Sequence, residues 1–184
     1  MKNYIIKTER LGLRNWLPAD EAPFIDMGQD PQVMQHFPGL LSSEETIALI
    51  GRLTKHFEKH GYTYFAVDVL ETDDFIGFTG LANQTWESEF TPCVDMGWRF
   101  KRSAWGKGYA TEAAKGCLEA AGTIFYLEEV LSFATDTNQA SENVMKKIGM
   151  RYIGKVEHPA IVGDDRFDHC VVYSNIKTED RNGT

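Results

Sequence analysis

The sequence predicts a single domain of the α/β (α+β) class, with a mixed, mostly antiparallel sheet of about seven strands and about four helices. Three observations predict this class. Apolar runs of strand type alternate with segments of helical spacing, a short polar turn joins two of the runs, and another run passes through Gly-x-Gly into a helix. With 184 residues and 42% hydrophobic content, one domain can bury a substantial core. We assign residues 1–176 to the domain and residues 177–184 to a polar tail.

The N-terminal part of the chain combines one strand signal with several helix signals. Leu11 and Leu13 lie on one face of an edge-type strand. Ser42 and Glu45 have the spacing of a capping box, and Gly61 follows a run of helical spacing as a C-terminal cap. The predicted elements are a strand at 4–14, a helical stretch at 18–27, a second short piece at 30–37 and a helix from Ser42 to Gly61.

The remaining elements follow from residue type and spacing. Residues 62–69 are β-branched and aromatic, and a polar turn leads from them to a return strand at 75–81, which together predict a hairpin. Gly149 is placed to cap the last helix. The other predicted elements are strands at 94–100, 130–135, 152–156 and 170–176, a helix from Gly108 to about Tyr126, and a helix that begins between Asp136 and Ser141.

Gly106 and Gly108 lie where the strand at 94–100 turns into a helix. The first turn of a helix has backbone N–H groups without intrahelical partners and carries a partial positive charge. Glycine lets an anionic group approach these donors, and Lys101, Arg102 and Lys107 add positive charge. The residues therefore predict a phosphate or pyrophosphate site, and a tight structural turn is the alternative interpretation.

Composition excludes several classes of protein. The net charge of −8 argues against a nucleic-acid-binding surface and would suit a cationic acceptor, although many proteins are simply acidic. No apolar run is long enough to span a bilayer, and the N-terminus is too short and polar for a signal peptide. Cys93, Cys117 and Cys170 lie in apolar runs, which is typical of reduced thiols in a cytoplasmic protein and not of nucleophiles.

One pair of histidines raises the question of a metal site. His56 and His60 are four residues apart near the end of a predicted helix. The sequence between them is not that of His-Glu-x-x-His, because Glu58 is one position late, and no third ligand is near. We expect a solvated helix face and no metal.

The stretch Trp-Gly-Lys-Gly-Tyr-Ala-Thr-Glu-Ala at 105–113 resembles the acetyl-CoA loop of the GNAT superfamily of N-acetyltransferases, Gln/Arg-x-x-Gly-x-Gly/Ala. Gly108 and Ala110 match that pattern, and Trp105 replaces the Gln or Arg. This variant is typical of the branch that contains the ribosomal-protein N-terminal (alanine/serine) acetyltransferases. Further resemblances to that branch follow in the correct order at 8–14, 95–100, 137–150 and 168–173, so that the likeness covers about 8–176.

The resemblance implies a GNAT fold, in which acetyl-CoA lies as co-substrate between two splayed strands, here 94–100 and 130–135. The amides of residues 106–111 would hold the pyrophosphate, and backbone groups near Arg99 and Phe100 would hold the pantetheine and polarise the thioester. Asn138 would bind a pantetheine amide, or it could be a turn or cap residue. The implied cofactor-binding residues are Arg99, Phe100, Trp105, Gly106, Lys107, Gly108, Tyr109, Ala110, Thr111 and Asn138.

The resemblance also implies a catalytic base. Direct acetyl transfer needs a neutral amine, and an alkyl ammonium or α-amino group must first lose a proton. Asp95 stands in the place of the branch's strand-four Glu and is the candidate base, directly or through water. The alternative is an ordinary paired acid. Glu87 and Glu89 could instead bind a cationic substrate.

The acid that protonates the leaving thiolate is less clearly marked. Many GNAT enzymes use a Tyr on the last helix, and Met145 stands in that place. Ser141 is the candidate substitute, and its alternative role is a helix N-cap. Tyr173 and His169 are further polar groups in the same part of the chain.

Two classes of function follow from the resemblance. The first is an acetyl-CoA-dependent N-acetyltransferase whose acceptor is a primary amine, either a protein N-terminus or a small molecule. The second is a non-catalytic acyl-CoA-binding module on the same fold, and a binder of another phosphate ligand is a weaker third. The segments at 18–43 and 85–92 should shape the acceptor pocket. A homodimer is a further expectation from related folds.

Overall fold

The computed structural model describes residues 2–176, so the predicted polar tail lies outside the described residues. The fold is an open eight-stranded sheet with helices on both faces, in the strand order β1-β2-β3-β4-β5-β6-β8-β7. The strands are Tyr4–Lys7 (β1), Leu11–Arg14 (β2), Tyr64–Val69 (β3), Phe75–Gln84 (β4), Cys93–Phe100 (β5), Leu131–Thr135 (β6), Arg151–Val156 (β7) and Cys170–Ser174 (β8). The helices are Glu21–Gly28 (α1), Ser43–His60 (α2), Tyr109–Thr123 (α3) and Gln139–Lys147 (α4).

The predicted fold class is confirmed, with one strand more than expected. The predicted strand at 4–14 is a hairpin of β1 and β2, because the polar residues after Lys7 form a turn. In that turn the Thr8 N–H donates to the Leu11 carbonyl at 2.9 Å, and the Leu11 N–H donates to the Thr8 hydroxyl at 3.1 Å. The neighbouring pairs along the sheet are antiparallel, except that β5 and β6 run parallel.

The predicted helix ends are correct where the capping residues lie within a few positions of each other or of the helix end. Ser42 and Glu45 form the predicted capping box, and Gly61 ends α2 with a φ of 79°. Two predictions were wrong. The segment 30–37 is a series of turns, and α3 ends at Thr123 and not near Tyr126. The N–H groups of Ile124 and Phe125 both donate to the Ala120 carbonyl, so the chain leaves the helix there.

Two apolar layers cover the sheet. On one face, α3 buries small residues that let its backbone lie close to the strands. They are Ala113, Ala114, Cys117, Ala120 and Ala121. On the other face, α1 and α2 pack around an aromatic group of Trp16, Phe24 and Phe78, with the rings of Trp16 and Phe24 4.7 Å apart. No helix in residues 2–176 is both long and apolar enough to cross a membrane.

A buried arginine joins the N-terminal strands to the turn before α1. The Arg14 guanidinium donates to both carboxylate oxygens of Asp68 at 2.6 and 2.8 Å, and to both of Asp20 at 2.6 and 2.8 Å. Burial alone would lower the pKa of Arg14, but the hydrogen bonds from the two aspartates raise it. The guanidinium is therefore fully charged and paired inside the protein.

The sheet opens between β5 and β6. These two parallel strands pair at Asp95 and Leu131, and their ladder does not continue beyond that point. The Ser132 hydroxyl donates to the Met96 carbonyl at 2.7 Å, next to the last paired residues. The predicted splay of the central strands is thus present, and it creates the space in which the candidate site lies.

Candidate active site

A cavity of about 790 Å³ occupies the opening between β5 and β6. It continues from the N-termini of α3 and α4 to the turns at 32–38, which cover its far side. A volume of this size is typical of a small-molecule site. Most of the predicted site residues line this cavity: Asp95, Arg99, Phe100, Trp105, Gly106, Gly108, Tyr109, Ala110, Thr111, Asn138 and Ser141.

The N-terminus of α3 presents free backbone donors to the cavity. Gly106 and Gly108 have φ values of 73° and 80°, in the left-handed region that favours glycine. Gly108 is the N-cap and makes no side-chain cap hydrogen bond, so no side chain occupies the donors of the first turn. A Cβ at Gly106 would meet nothing within 4 Å. Open space, free N–H groups and the positive end of the helix together are suited to binding an anion.

A carboxylate on the first turn of α3 fixes this site to the β1–β2 hairpin. Glu112 accepts hydrogen bonds from the Thr8 hydroxyl at 2.6 Å, the Arg10 N–H at 2.8 Å and the Arg10 Nε at 2.6 Å. Arg10 also donates to the Lys107 carbonyl at 3.1 Å and lies over the Tyr109 ring. Burial alone would raise the pKa of Glu112, but these hydrogen bonds outweigh it and lower the pKa. The contacts of Glu112 with Thr8 and Arg10 were not predicted from the sequence, because the three residues lie in two distant segments of the chain.

Two predicted loop residues have different contacts from those expected. The Trp105 indole N–H donates to the Phe100 carbonyl at 2.9 Å, which closes the turn between β5 and α3. Lys107 is exposed and lies outside the cavity lining, as do Lys101 and Arg102. The backbone of the loop between β5 and α3, and not its lysine side chains, therefore faces the cavity.

Asp95 lies at the point where the strands part and is buried. Its carboxylate accepts a hydrogen bond from the Tyr64 hydroxyl at 2.5 Å and another from the Gln84 amide at 3.3 Å. Burial raises the pKa of Asp95 to about 6, although the two hydrogen bonds act in the opposite direction. A carboxylate with this pKa can take up a proton near neutral pH, as a general base must. Tyr64 was not predicted as a site residue.

The N-terminus of α4 forms the opposite wall. Asn138 is its N-cap, and the Asn138 Oδ1 accepts the Ser141 N–H at 3.1 Å. The cap interpretation of Asn138 is confirmed, whereas the suggested cap role of Ser141 is wrong because Ser141 lies in the first turn. Ser141 and Val144 line the cavity, while Met145 is buried in the core beneath. No tyrosine stands at that position.

Four alternative residues of the sequence analysis lie outside the cavity lining. Glu87 and Glu89 are exposed on the β4–β5 loop. The Tyr173 hydroxyl donates to Glu142 at 2.6 Å, and His169 pairs with Asp168 at 2.9 Å. The acidic side chains expected to attract a cationic substrate are thus not part of this site.

The two histidines of α2 serve the fold. The His56 Nδ1 donates to the Tyr62 carbonyl at 2.8 Å, and its Nε2 accepts the Asn83 N–H at 3.1 Å. Both ring nitrogens of His56 are therefore engaged, and the ring joins the end of α2 to the sheet, so the solvated helix face expected at this residue is wrong. Among the described residues, no group of three His, Cys, Asp or Glu side chains is placed to hold a metal ion.

Two polar groups in the cavity wall have no hydrogen-bond partner among residues 2–176. The Arg99 Nε and Nη1 and the Thr135 Oγ1 are shielded from solvent and unpaired. Buried polar groups are nearly always hydrogen-bonded, so unpaired ones in a cavity mark a place where a ligand can bind. Residue patterns gave no signal for either, because burial without a partner is a property of the folded chain.

Comparison with known proteins adds to this geometry. A family model described as "Acetyltransferase (GNAT) domain" matches residues 10–151 of the chain. The chain is an acetyltransferase of the GNAT family. The match begins in the β1–β2 hairpin and includes the cavity walls from β5 to α4. The resemblance drawn from the sequence is confirmed at the level of the superfamily.

Individual GNAT proteins are similar over most of the chain. The uncharacterized N-acetyltransferase YnaD of Bacillus subtilis (strain 168) is 30% identical over 151 residues, which are 81% of this chain and 84% of that protein. A GNAT-family acetyltransferase structure from Bacillus anthracis has a TM-score of 0.76 at 25% identity and covers 92% of this chain and 96% of its own. The RimL ribosomal L7/L12 alpha-N-protein acetyltransferase, solved with coenzyme A, has a TM-score of 0.77 at 14% identity, covering 95% and 98%. This last likeness concerns the fold alone.

Proposed function

We propose that this GNAT chain transfers the acetyl group of acetyl-CoA directly to a primary amine, with Asp95 as the base. One observation carries the proposal. A buried carboxylate with a pKa of about 6 lies in the same cavity as the uncapped N-terminus of α3. The first group suits a proton acceptor and the second suits a diphosphate.

The α3 end of the cavity would hold the cofactor. The N–H groups of the first turn, from Gly108 to Thr111, bind the diphosphate, and Glu112 keeps that turn fixed to the β1–β2 hairpin. The parted edge of β5 offers backbone groups to the pantetheine chain. Asn138 caps α4 through its Oδ1, which leaves its NH₂ group to donate to a pantetheine carbonyl.

The Asp95 end of the cavity would hold the amine. The ammonium form gives up one proton to Asp95, directly or through a water, and its nitrogen then forms a bond to the acetyl carbon. The carbon–sulfur bond breaks at the same centre, and the leaving thiolate takes a proton. Ser141 faces this space from α4 and is the proposed donor of that proton. The proton balance closes when the bonded nitrogen loses its second proton, which restores the Ser141 hydroxyl through water, and Asp95 returns the first proton to solvent.

A non-catalytic acyl-CoA-binding module is the second candidate. It is favoured by the empty tyrosine position at Met145 and by the two hydrogen bonds that already engage Asp95. Resemblance to the ribosomal-protein branch makes protein N-termini acceptors to test beside small amines. Both candidates predict coenzyme A binding, and only the transferase predicts thiol release with an amine.

The deciding experiment compares Asp95→Asn with the wild type. We expect coenzyme A affinity, measured by calorimetry, to stay within about twofold, and amine-dependent thiol release to fall about 10²–10⁴-fold, because the base is lost. The wild-type rate should fall as the pH drops below about 6, where Asp95 becomes protonated.

The matched control is Asp136→Asn, because Asp136 is an exposed acid after β6 that lies outside the cavity; this variant should keep full activity. Equal rates for Asp95→Asn and wild type would remove Asp95 as the base. If the wild type binds coenzyme A but releases no thiol with any amine, the result would favour the non-catalytic binding module.

A further inference from the structure

Arg99 is an ionised side chain in the cavity without a protein counter-charge. Its Nε and Nη1 are shielded from solvent and have no hydrogen-bond partner among residues 2–176. Its guanidinium carbon lies 4.1 Å from the ring centroid of Phe37 and 5.4 Å from that of Phe78. Burial lowers the pKa of Arg99 to about 10, so the side chain is still charged at neutral pH. A buried charge without a partner is costly, which is the situation that a bound anion relieves.

The cavity contains no acid that could pair with Arg99. Asp95 is the one Asp or Glu among the described residues that line the cavity, and its Oδ2 already accepts hydrogen bonds from Tyr64 and Gln84. Asp95 and Arg99 are four positions apart on β5, so their Cα atoms are about 13 Å apart and their side chains share one face of the strand. Gly97 lies between them on that face, and its missing side chain leaves room for the Tyr64 ring, whose hydroxyl would lie 3.1 Å from a Cβ at Gly97 and donates to Asp95.

The segment that covers Arg99 is held in place by contacts of its own. Arg166 donates to the carbonyls of Phe37 and Pro38, both at 3.0 Å, and Arg102 donates to Gln32 at 2.7 Å. The Phe37 ring therefore stays over the guanidinium and keeps water from its face. The remaining unsatisfied groups are N–H donors in the guanidinium plane.

The free N–H groups of Arg99 indicate which kind of anion can bind there. A planar guanidinium with a free edge matches the two oxygens of a carboxylate, which it can bind through two parallel hydrogen bonds. A phosphate would call for several donors, and the positive helix end with its free N–H groups lies at the other part of the cavity, at α3. The diphosphate therefore has its own site, and Arg99 is left for the acceptor.

We propose that the Arg99 side chain binds a carboxylate of the acceptor, so that the substrate is an amine that also carries a carboxylate, such as an amino acid or a short peptide. This inference rests on the proposed function and narrows its acceptor class. Asp95 would receive the proton of the amine at one end of this face of β5, Arg99 would hold the carboxylate at the other, and the acceptor would lie along Tyr64 between them.

The test measures acetyl transfer to each carboxylate-bearing amine and to the carboxamide of the same compound. The series runs from α-amino acids through amino acids with longer spacers to dipeptides, because base and guanidinium stand apart on the strand. For the best acceptor we expect the wild-type kcat/KM to be about 10- to 100-fold higher for the acid than for the amide, the range of a hydrogen bond to a charged group. Arg99→Gln should abolish this preference and leave the affinity for coenzyme A within about twofold. Arg99→Lys should restore part of it, since it keeps the charge without the planar fork.

Arg52→Gln is the matched control, because Arg52 is exposed on α2 and outside the cavity; it should keep the full preference. Amine transfer without any preference for acids in the wild type would overturn this inference and leave the proposed function intact. Absence of transfer to every amine, with coenzyme A bound, would overturn both. The wild-type comparison decides the question even if Arg99→Gln fails to fold.

Discussion

At the scale of single residues, Asp95 shows a conflict between stability and proposed function. Its folded pKa of about 6 lies above the ordinary value of 3.8 because burial disfavours the charged form. The ionised carboxylate therefore destabilises the fold. This penalty is absent below about pH 3.8, where Asp95 is protonated in both states, and it is complete above about pH 6.

Asp95→Asn should accordingly stabilise the protein at neutral pH. The expected gain in the free energy of unfolding is about 2–3 kcal/mol at pH 7–8, from a shift of about two pKa units, since the amide cannot ionise and can still accept the Tyr64 hydroxyl. Urea melts of variant and wild type at pH 7.5 and pH 4.5 would measure it, and the difference should shrink at the lower pH. Asp136→Asn should show no such gain. A difference that stayed constant with pH would mean that the Asp95 pKa is not raised in the folded protein.

At the scale of elements, the N-terminus of α3 combines a local signal with a distant one. Gly-x-Gly before a helix can be recognised in the sequence, and so can the Ser42 capping box, because each depends on neighbours within a few residues. The contacts of Glu112 with Thr8 and Arg10 join positions more than a hundred residues apart. A local residue pattern cannot show which distant residues will touch. The sequence therefore predicted an anion site at this helix end, but it did not predict the contacts of Glu112.

The left-handed conformation of Gly108 gives a test of this element. Gly108→Ala places a Cβ at a φ of 80°, which costs about 1–2 kcal/mol and shifts the donors of the first turn. We expect a Tm lower by a few degrees and coenzyme A binding weaker by about tenfold or more, measured by calorimetry. Gly122→Ala, in the same helix with open space around it and no left-handed φ, is the control and should bind coenzyme A normally. Unchanged binding by Gly108→Ala would mean that these donors do not hold the cofactor.

At the scale of the whole molecule, the site exists because the sheet opens between the parallel strands β5 and β6. Element order was enough to predict the fold class, and the resemblance was enough to predict the splay and 11 of the 34 residues that line the cavity. Arg99 was predicted for its backbone, yet the fold gives its side chain a separate environment against Phe37 and Phe78. Tyr64 gave no signal, because it is brought to the cavity from a strand with the pattern of ordinary core. Thr135 was not named, although its strand was predicted to flank the cofactor. Tertiary packing, and not local pattern, decides which strand residues reach the site.

The cluster of Arg14 with Asp20 and Asp68 holds together three separate parts of the chain and should dominate the response of the fold to substitution. Arg14→Met would leave two buried carboxylates without their shared cation, and the loss of one partner from a buried pair costs about 3–5 kcal/mol. Urea unfolding at pH 7.5 should show that loss, whereas Arg52→Met on the exposed face of α2 should change stability by less than about 0.5 kcal/mol. A loss of under 1 kcal/mol would show that Lys2, which lies 2.9 Å from Asp68, and the Tyr4 hydroxyl replace the guanidinium.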